Sequence, residues 1–324
     1  MKAVIWTKYG SPDVLQLREV DKPVPKGNEM LIKVHATAVT MGDCEMRTLK
    51  FPLWVGLPMR IYVGFIKPKR VTVLGGYMAG EVEMVGKDVK RFSIGDAIFG
   101  LTGFSFGSYA EYVCIPENGI VTTKPSNITY VEAAPVALGG LEALHFLSKA
   151  NIRPGQKVLI NGGGGSIGTF AIQIAKHLGT EVTAVDSTGK LDMMRSIGAD
   201  HVIDYTQEDF TKTGKTYDVI LDVVLKSSFS GIIKSLKENG IYLLANPTLF
   251  KMIRGAWISR LSSKKVIFEM TNHNTNDLNT LKELIETGKI RSVIDRNYRL
   301  EEIIEAHKYV ETGEKKGDVV IAVT

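Results

Sequence analysis

The chain has 324 residues, 44% of them hydrophobic, which is enough for about two domains with substantial cores. Its 40 basic and 35 acidic residues give a net charge of +5 without long charge runs, which argues against a nucleic-acid-binding protein. Cys44 and Cys114 are the only cysteines, so the sequence encodes neither a disulfide framework nor a Cys-x-x-Cys metal site, as expected in a reducing compartment.

The first 120 or so residues are predicted to be rich in β-strands. The opening MKAVIWTKYG lacks the apolar core of a signal peptide, which predicts a cytoplasmic location. Short apolar or alternating runs, separated by turns rich in Gly and Pro, mark strands at residues 3–6, 14–17, 30–34, 80–86, 95–100 and 109–114. We therefore expect a compact β-domain in this half.

Residues 51–66, FPLWVGLPMRIYVGFI, are unusually apolar. They are fewer than the ~18–20 apolar residues of a membrane span and include two prolines, two glycines and an arginine. Three interpretations stay open. The segment is a buried loop beside the β-domain, a lid over an apolar substrate pocket, or a shallow membrane contact aided by Lys67, Lys69 and Arg70.

From Tyr130 onward the pattern changes to alternating helices and strands. Apolar runs predict strands at residues 158–160, 181–185, 201–203, 217–221, 241–244 and 265–268. Helical spacing separates several of them, which predicts a doubly wound parallel sheet whose ligand lies at the carboxyl ends of the strands. Two further helices and a strand at residues 319–323 end the chain and are expected to return to the β-domain.

The most informative stretch is KVLINGGGGSIGTFAIQIAKHLG, residues 157–179. A buried strand, a glycine turn and an amphipathic helix follow one another, and Gly163-x-Gly165-x-x-Gly168 fits the dinucleotide fingerprint. The helix N-terminus offers N–H groups and a favourable dipole to an anion, and glycine lets a pyrophosphate approach the backbone. This stretch therefore predicts a dinucleotide site.

The order of these segments resembles the medium-chain dehydrogenase/reductase superfamily, in its zinc-free, quinone oxidoreductase-like branch. The resemblance covers essentially the whole chain, through MKAVIWTKYGSPDVLQL, GEVEMVGKDVKRFSIGDAIFG, GSYAEYV, EAAPVALGG, VLINGGGGSIGTFAIQIAK, SIGADHVIDY and KGDVVIAV. It implies an α/β fold with a β-rich GroES-like catalytic domain and an inserted Rossmann domain. The expected boundaries are 1–122 for the first part of the catalytic domain, 123–270 for the Rossmann domain and 271–324 for the segment that returns to the catalytic domain.

The resemblance also implies the absence of a metal. Zinc-dependent members carry a catalytic cysteine where this chain has Thr40, and a His-Glu pair where it has Gly76 and Tyr77. The four-cysteine structural lobe is missing as well, so no zinc ligand set is expected. Thr40 and Tyr77 are then the candidates to donate hydrogen bonds to a developing oxyanion, unless they serve packing alone. Asp43 is expected to pair with the arginine one helical turn further on.

The cofactor implied is NAD(P)H, with NADH slightly favoured. Asp186 ends the second strand of the predicted sheet, where a carboxylate binds the ribose of NAD and repels the 2′-phosphate of NADP. Against this, Lys190 and Tyr205 match positions that hold the 2′-phosphate in NADPH-using relatives. Alternatively, Asp186 caps the next helix and Lys190 is a solvated surface residue.

The remaining cofactor contacts are assigned by position. They are Gly162, Gly163, Gly165, Ser166, Ile167, Gly168, Ser187, Val223 and Asn246. Three residues depart from the family pattern. Glu142 replaces a threonine beside the nicotinamide, Leu225 replaces a glycine after the fourth strand, and Asn246 lies where the backbone should meet the carboxamide.

The function expected is hydride transfer from NAD(P)H to a quinone, an enone or a related conjugated carbonyl, by a homodimer acting on a small apolar substrate. No nucleic acid, transmembrane span or metal is expected to take part. Two alternatives stay open: an alcohol or aldehyde dehydrogenase on the same scaffold, and a catalytically weak nucleotide-binding sensor or adaptor.

Overall fold

The structure is a computed structural model that describes residues 1–51, 53–224, 227–245, 247–269 and 271–323. The chain forms two compact units. The first comprises Met1–Leu138, Asn274–Glu286 and Ser292–Thr324, and the second comprises Gly139–His273 and Thr287–Arg291. The domain boundaries at residues 122 and 270 remain a prediction.

The first unit is built on β-strands, as expected from its alternating segments. Its strands are β1 (Lys2–Trp6), β2 (Leu15–Glu19), β3 (Glu29–Val39), β4 (Tyr77–Val85), β5 (Ala97–Leu101), β6 (Tyr112–Pro116), β7 (Val121–Thr123), β14 (Ile294–Arg299) and β15 (Asp318–Ala322). β1 pairs with β2, and the main sheet has the order β14-β15-β3-β4-β5-β7, with β6 also on β3. The last strand of the chain therefore lies antiparallel to β3.

The α-helices described alongside these strands are α1 (Met41–Thr48), α2 (Leu53–Val63), α3 (Tyr130–Ala133), α9 (Thr275–Glu286) and α10 (Ile303–Thr312). The interpretation of residues 51–66 as a loop is wrong, because most of the segment is α2, with Pro58 inside the helix. Val63 is buried in the core, and Met59 and Tyr62 pack against that core at helical spacing. This burial outweighs the backbone hydrogen bond that proline removes.

The second unit is a six-stranded parallel sheet with the order β10-β9-β8-β11-β12-β13. Its strands are β8 (Lys157–Asn161), β9 (Glu181–Asp186), β10 (His201–Asp204), β11 (Tyr217–Asp222), β12 (Leu236–Leu244) and β13 (Lys265–Ile267). Its helices are α4 (Leu141–Ser148), α5 (Ser166–His177), α6 (Leu191–Ser196), α7 (Phe229–Lys234) and α8 (Leu249–Leu261). The expected doubly wound α/β fold is confirmed, and the strand order reverses between β8 and β11.

Besides α2, the unpredicted elements include β7, β14 and α8. β7 has only three residues, and the sequence of β14, IDRNYR, is mostly polar. α8 carries most of its large apolar side chains on its exposed side, so the sequence gives no inward apolar face to recognise. Within the described residues, no helix combines the length and apolar character needed to cross a bilayer.

Candidate functional site

The glycine turn joins β8 to α5 at the reversal of the strand order. Gly162 has φ +91°, a left-handed conformation that favours glycine. The N–H groups of Gly162 and Gly163 donate to the carbonyl of Val185, at 2.9 and 3.0 Å. The turn is thus fastened to the carboxyl end of β9, and α5 begins at Ser166 with Gly165 as its N-cap.

Two glycines of the fingerprint have different roles. A Cβ on Gly168 would lie 2.1 Å from the carbonyl oxygen of Gly162 and 2.6 Å from Cα of Gly163, so only glycine lets helix and turn pack this closely. A Cβ on Gly165 would meet nothing nearer than 3.7 Å, so that side of the turn is open. The first N–H groups of α5 have no acceptor within the helix, and a pyrophosphate fits this cradle.

Asp186 ends β9 and is buried beside the turn. One carboxylate oxygen accepts the Gly164 N–H at 2.9 Å, and the other accepts the Ser187 N–H at 2.8 Å and lies 3.2 Å from Nζ of Lys190. The expectation of a solvated Lys190 is wrong, because its side chain is buried against Asp186. Asp186 therefore presents an ion pair rather than an isolated negative charge.

Tyr205 and Val223 lie on either side of the turn. The Tyr205 N–H donates to the carbonyl of Asp186 at 3.2 Å, and its ring is exposed. The Val223 N–H donates to the carbonyl of Asn161 at 3.1 Å, and a Cβ on Gly162 would approach the Val223 side chain at 2.6 Å. The structure thus gathers the predicted cofactor residues of this unit at one edge of the sheet, except Asn246, which lies outside the described residues, as does Leu225.

A buried polar cluster that the sequence analysis missed begins at Asn161, the residue before the turn. Asp222, at the end of β11, accepts the Asn161 side-chain amide at 2.8 Å and the Tyr242 hydroxyl at 2.8 Å. Burial and the Asp222 carboxylate both raise the pKa of Tyr242, so its hydroxyl stays protonated and donates. The signal was present in the sequence, since both apolar strands end on a polar residue, as VLIN and VILD.

Glu142 lies in the first turn of α4, close to the start of α5. A Cβ on Gly139, one turn earlier, would lie 2.5 Å from the carbonyl oxygen of Ser166. The Glu142 carboxylate accepts the Thr271 hydroxyl at 3.1 Å and lies 3.1 Å from Nε2 of His273. Its orientation is fixed by these two residues, which sequence spacing could not reveal because they lie about 130 positions away.

Thr40 and Tyr77 lie at the same end of the β3–β4 pair in the first unit, since Thr37 is paired with Met78. Thr40 is the N-cap of α1 and forms a capping box with Asp43. Its hydroxyl donates to the Asp43 carboxylate at 2.7 Å and accepts the Asp43 N–H at 3.1 Å. Tyr77 begins β4, is half-buried, and its carbonyl accepts the Thr37 hydroxyl at 2.7 Å.

The expected pairing of Asp43 with Arg47 is wrong. Burial raises the pKa of Asp43 to about 6, although the hydrogen bonds from Thr40 oppose the shift. Arg47 instead donates to the carbonyl of Gly10 at 3.0 Å and to Nδ1 of His307 at 3.0 Å, and pairs with Glu311. The Asp43 carboxylate is held by Thr40 in the capping box, and this explains why it does not pair with Arg47.

His307 and Cys44 form a buried pair, in which Sγ of Cys44 lies 3.4 Å from Nδ1 of His307. Burial, and then the charge of Arg47, lower the pKa of His307 to about 3, while burial raises the pKa of Cys44 to about 12. Both groups are therefore neutral near pH 7, and the pair lacks the thiolate that a nucleophile requires.

The residues at the positions of the zinc ligands do not fit a metal. Thr40, Gly76 and Tyr77 offer no thiolate, imidazole or carboxylate. In the part of the chain that the structure describes, no cluster of three or more His, Cys, Asp or Glu residues could hold an ion.

A parallel sheet with a glycine turn at its switch point, together with a separate β-rich unit, is the architecture of a dinucleotide-dependent dehydrogenase or reductase. Two family models match the chain: an alcohol dehydrogenase GroES-like domain at residues 26–126 and a zinc-binding dehydrogenase at residues 197–321.

Curated relatives and solved structures agree with this class. The chain is 35% identical to the 2-methylene-furan-3-one reductase of Solanum lycopersicum, over 99% of this chain and 79% of that protein. It is 32% identical, with the same coverage, to the chloroplastic NADPH-dependent alkenal/one oxidoreductase of Arabidopsis thaliana. The quinone oxidoreductase from Coxiella burnetii superposes with a TM-score of 0.89 at 31% identity, covering 100% of this chain and 99% of that chain. The protein belongs to the medium-chain dehydrogenase/reductase superfamily, in its quinone oxidoreductase-like branch, and is an oxidoreductase.

Proposed function

We propose that the protein is a zinc-independent NAD(P)H-dependent reductase that transfers a hydride to a quinone, an enone or a related conjugated carbonyl. The observation that carries this proposal is the glycine turn between β8 and α5, whose open side at Gly165 lies beside the first turn of the helix. The names of both plant relatives also indicate conjugated carbonyl substrates.

The proposed cofactor site uses the chain's own residues for binding and orientation. The first N–H groups of α5 bind the pyrophosphate, and Asp186, Lys190 and Tyr205 face the adenosine ribose. When bound, NAD(P)H supplies the hydride. The preference for NADH remains part of the proposal, although the ion pair between Lys190 and Asp186 weakens the repulsion of a 2′-phosphate on which it depends.

In the absence of a metal, we propose that side-chain donors stabilise the oxyanion that develops on the substrate. Thr40 and Tyr77 are the two candidates, and the Thr40 hydroxyl would have to turn from the Asp43 carboxylate to serve. Glu142, held by Thr271 and His273, is proposed to lie beside the nicotinamide, where its negative charge favours the oxidised, positively charged ring.

The test is consumption of NADH and NADPH by metal-free protein with a panel of quinones, enones, aldehydes and alcohols. We expect turnover with quinones or enones that survives a chelator. Turnover only with alcohols or aldehydes would instead support a dehydrogenase. Nucleotide binding without turnover on any acceptor would support a sensor or adaptor. One tightly bound zinc ion per chain would refute zinc independence.

Two further parts of the proposal concern the protein's assembly and location. We propose a homodimer, as the resemblance implies, and light scattering that gives the mass of one chain would refute it. We also propose a cytoplasmic location, which cell fractionation tests.

A further inference from the structure

The outward face of α8 is apolar, which is the reverse of an ordinary surface helix. Five of its large apolar side chains are 54–75% exposed: Leu249, Phe250, Ile253, Trp257 and Leu261. At 3.6 residues per turn these positions fall within an arc of about 120°. We call these five side chains the α8 apolar face.

The opposite side of α8 is anchored to the sheet. Gly255 is the buried residue of the helix, and a Cβ on it would lie 2.8 Å from Val266 in β13. Ile258 packs on the core of this unit. The helix therefore lies flat on the edge of the sheet, so the α8 apolar face is not a consequence of loose packing.

Two arginines lie at this face. Arg260 falls within the apolar arc and is exposed, and the exposed Arg254 borders it, with its guanidinium 5.6 Å from the ring of Phe250. The sequence contains no acidic residue from position 239 to 268, yet it has Lys251, Arg254, Arg260, Lys264 and Lys265 there. These five account for the whole excess of 40 basic over 35 acidic residues, so the rest of the chain is balanced.

We propose that the α8 apolar face docks on an anionic lipid bilayer, so that the protein binds a membrane surface peripherally. Exposed Trp, Phe, Leu and Ile on one side of a helix, flanked by arginine, match the interface between acyl chains and headgroups. The basic residues complement anionic headgroups, and each contributes through the surface potential of the membrane.

A second copy of the chain fits this surface less well. Pairing two such faces about a two-fold axis would bring Arg254 and Arg260 of both copies together, and these like charges would oppose the contact. The complementary charge therefore has to come from the partner, and a bilayer supplies it over a broad surface.

The experiment measures binding of the full chain to vesicles of phosphatidylcholine, with and without phosphatidylserine. We expect binding to the anionic vesicles that weakens with salt, and a blue shift of Trp257 fluorescence on binding. Ile253→Ser combined with Trp257→Ser should lower affinity more than about tenfold, and Arg260→Gln should lower it about fivefold. Trp257→Phe should retain binding and lose the blue shift.

The control is Val24→Ser, which removes an even more exposed apolar side chain from a loop of the first unit and should leave binding unchanged. Thermal melts establish that each variant is folded. Three results would overturn the proposal: no binding to anionic vesicles, equal binding to neutral ones, or unaltered binding by the double serine variant. A fall in the mass of that variant by light scattering, with no vesicle binding by the wild type, would identify the face as a contact between copies.

Discussion

Alanine substitutions at two glycines of the turn are predicted to affect folding and cofactor binding to different extents. In Gly168→Ala, the new Cβ would lie 2.1 Å from the Gly162 carbonyl oxygen, so turn and helix must part by about 1 Å to reach an ordinary carbon–oxygen contact. Both neighbours are backbone, and the turn is held by two hydrogen bonds to Val185. Overpacking costs about 1–3 kcal/mol, and weakening those bonds costs about 1 kcal/mol more, so we expect a loss of about 3 kcal/mol in unfolding free energy.

Gly165→Ala is the matched variant. Its Cβ would lie 3.7 Å from the nearest atom, an ordinary contact, and its φ of −92° is accessible to alanine. The unfolding free energy should fall by about 1 kcal/mol at most, because alanine is a poorer N-cap than glycine. Because the methyl group would occupy the side proposed for the pyrophosphate, NAD(P)H affinity should fall at least about tenfold.

Urea unfolding and calorimetric titration with NADH and NADPH measure the two effects. Gly168→Ala should lose about 3 kcal/mol of stability together with binding, whereas Gly165→Ala should lose binding with at most about 1 kcal/mol of stability. Wild-type stability in Gly168→Ala would refute the packing argument. Wild-type affinity in Gly165→Ala would remove the open side of the turn from the cofactor site.

Three other predictions follow from individual side chains. Lys190→Ala should weaken NADPH binding about tenfold and NADH binding much less, because the Asp186 charge is then exposed to the 2′-phosphate; equal losses in titration would contradict this. Asp222→Ala should cost about 3 kcal/mol in denaturant unfolding, and Tyr242→Phe only about 1 kcal/mol, since only the first leaves buried donors unpaired. His307, with a folded pKa of about 3, should contribute a loss of up to about 5 kcal/mol of stability between pH 6.5 and 3, because unfolding lets it take up a proton, while Asp43, whose pKa burial raises to about 6, offsets part of that loss; an unchanged pH slope in His307→Gln would refute this.

Local patterns were sufficient to predict the core of the second unit. The strand, glycine turn and helix at residues 157–179 are all encoded within a few neighbouring residues, and the structure places them as expected. Tertiary contacts decided the elements that were predicted wrongly. Pro58 and the glycines of residues 51–66 indicate a loop, but burial of Val63 keeps the segment helical.

The partners of the candidate site residues were beyond sequence reasoning. Glu142 and His273 are distant in sequence, and their contact depends on the path of the chain around the sheet. Asp186 was correctly identified as the end of a strand, but its partner Gly164 N–H belongs to the turn after a different strand. Such contacts follow from the order of strands, which a single sequence does not specify.

The hydrogen bond between Asp186 and the Gly164 N–H has a practical consequence for protein engineering. A design that changes coenzyme preference by replacing Asp186 would also release the peptide that shapes the glycine turn. Selectivity and loop geometry would then change together, and weaker binding could be mistaken for altered selectivity. The exposed ring of Tyr205 is a safer first target, because its substitution leaves that peptide in place.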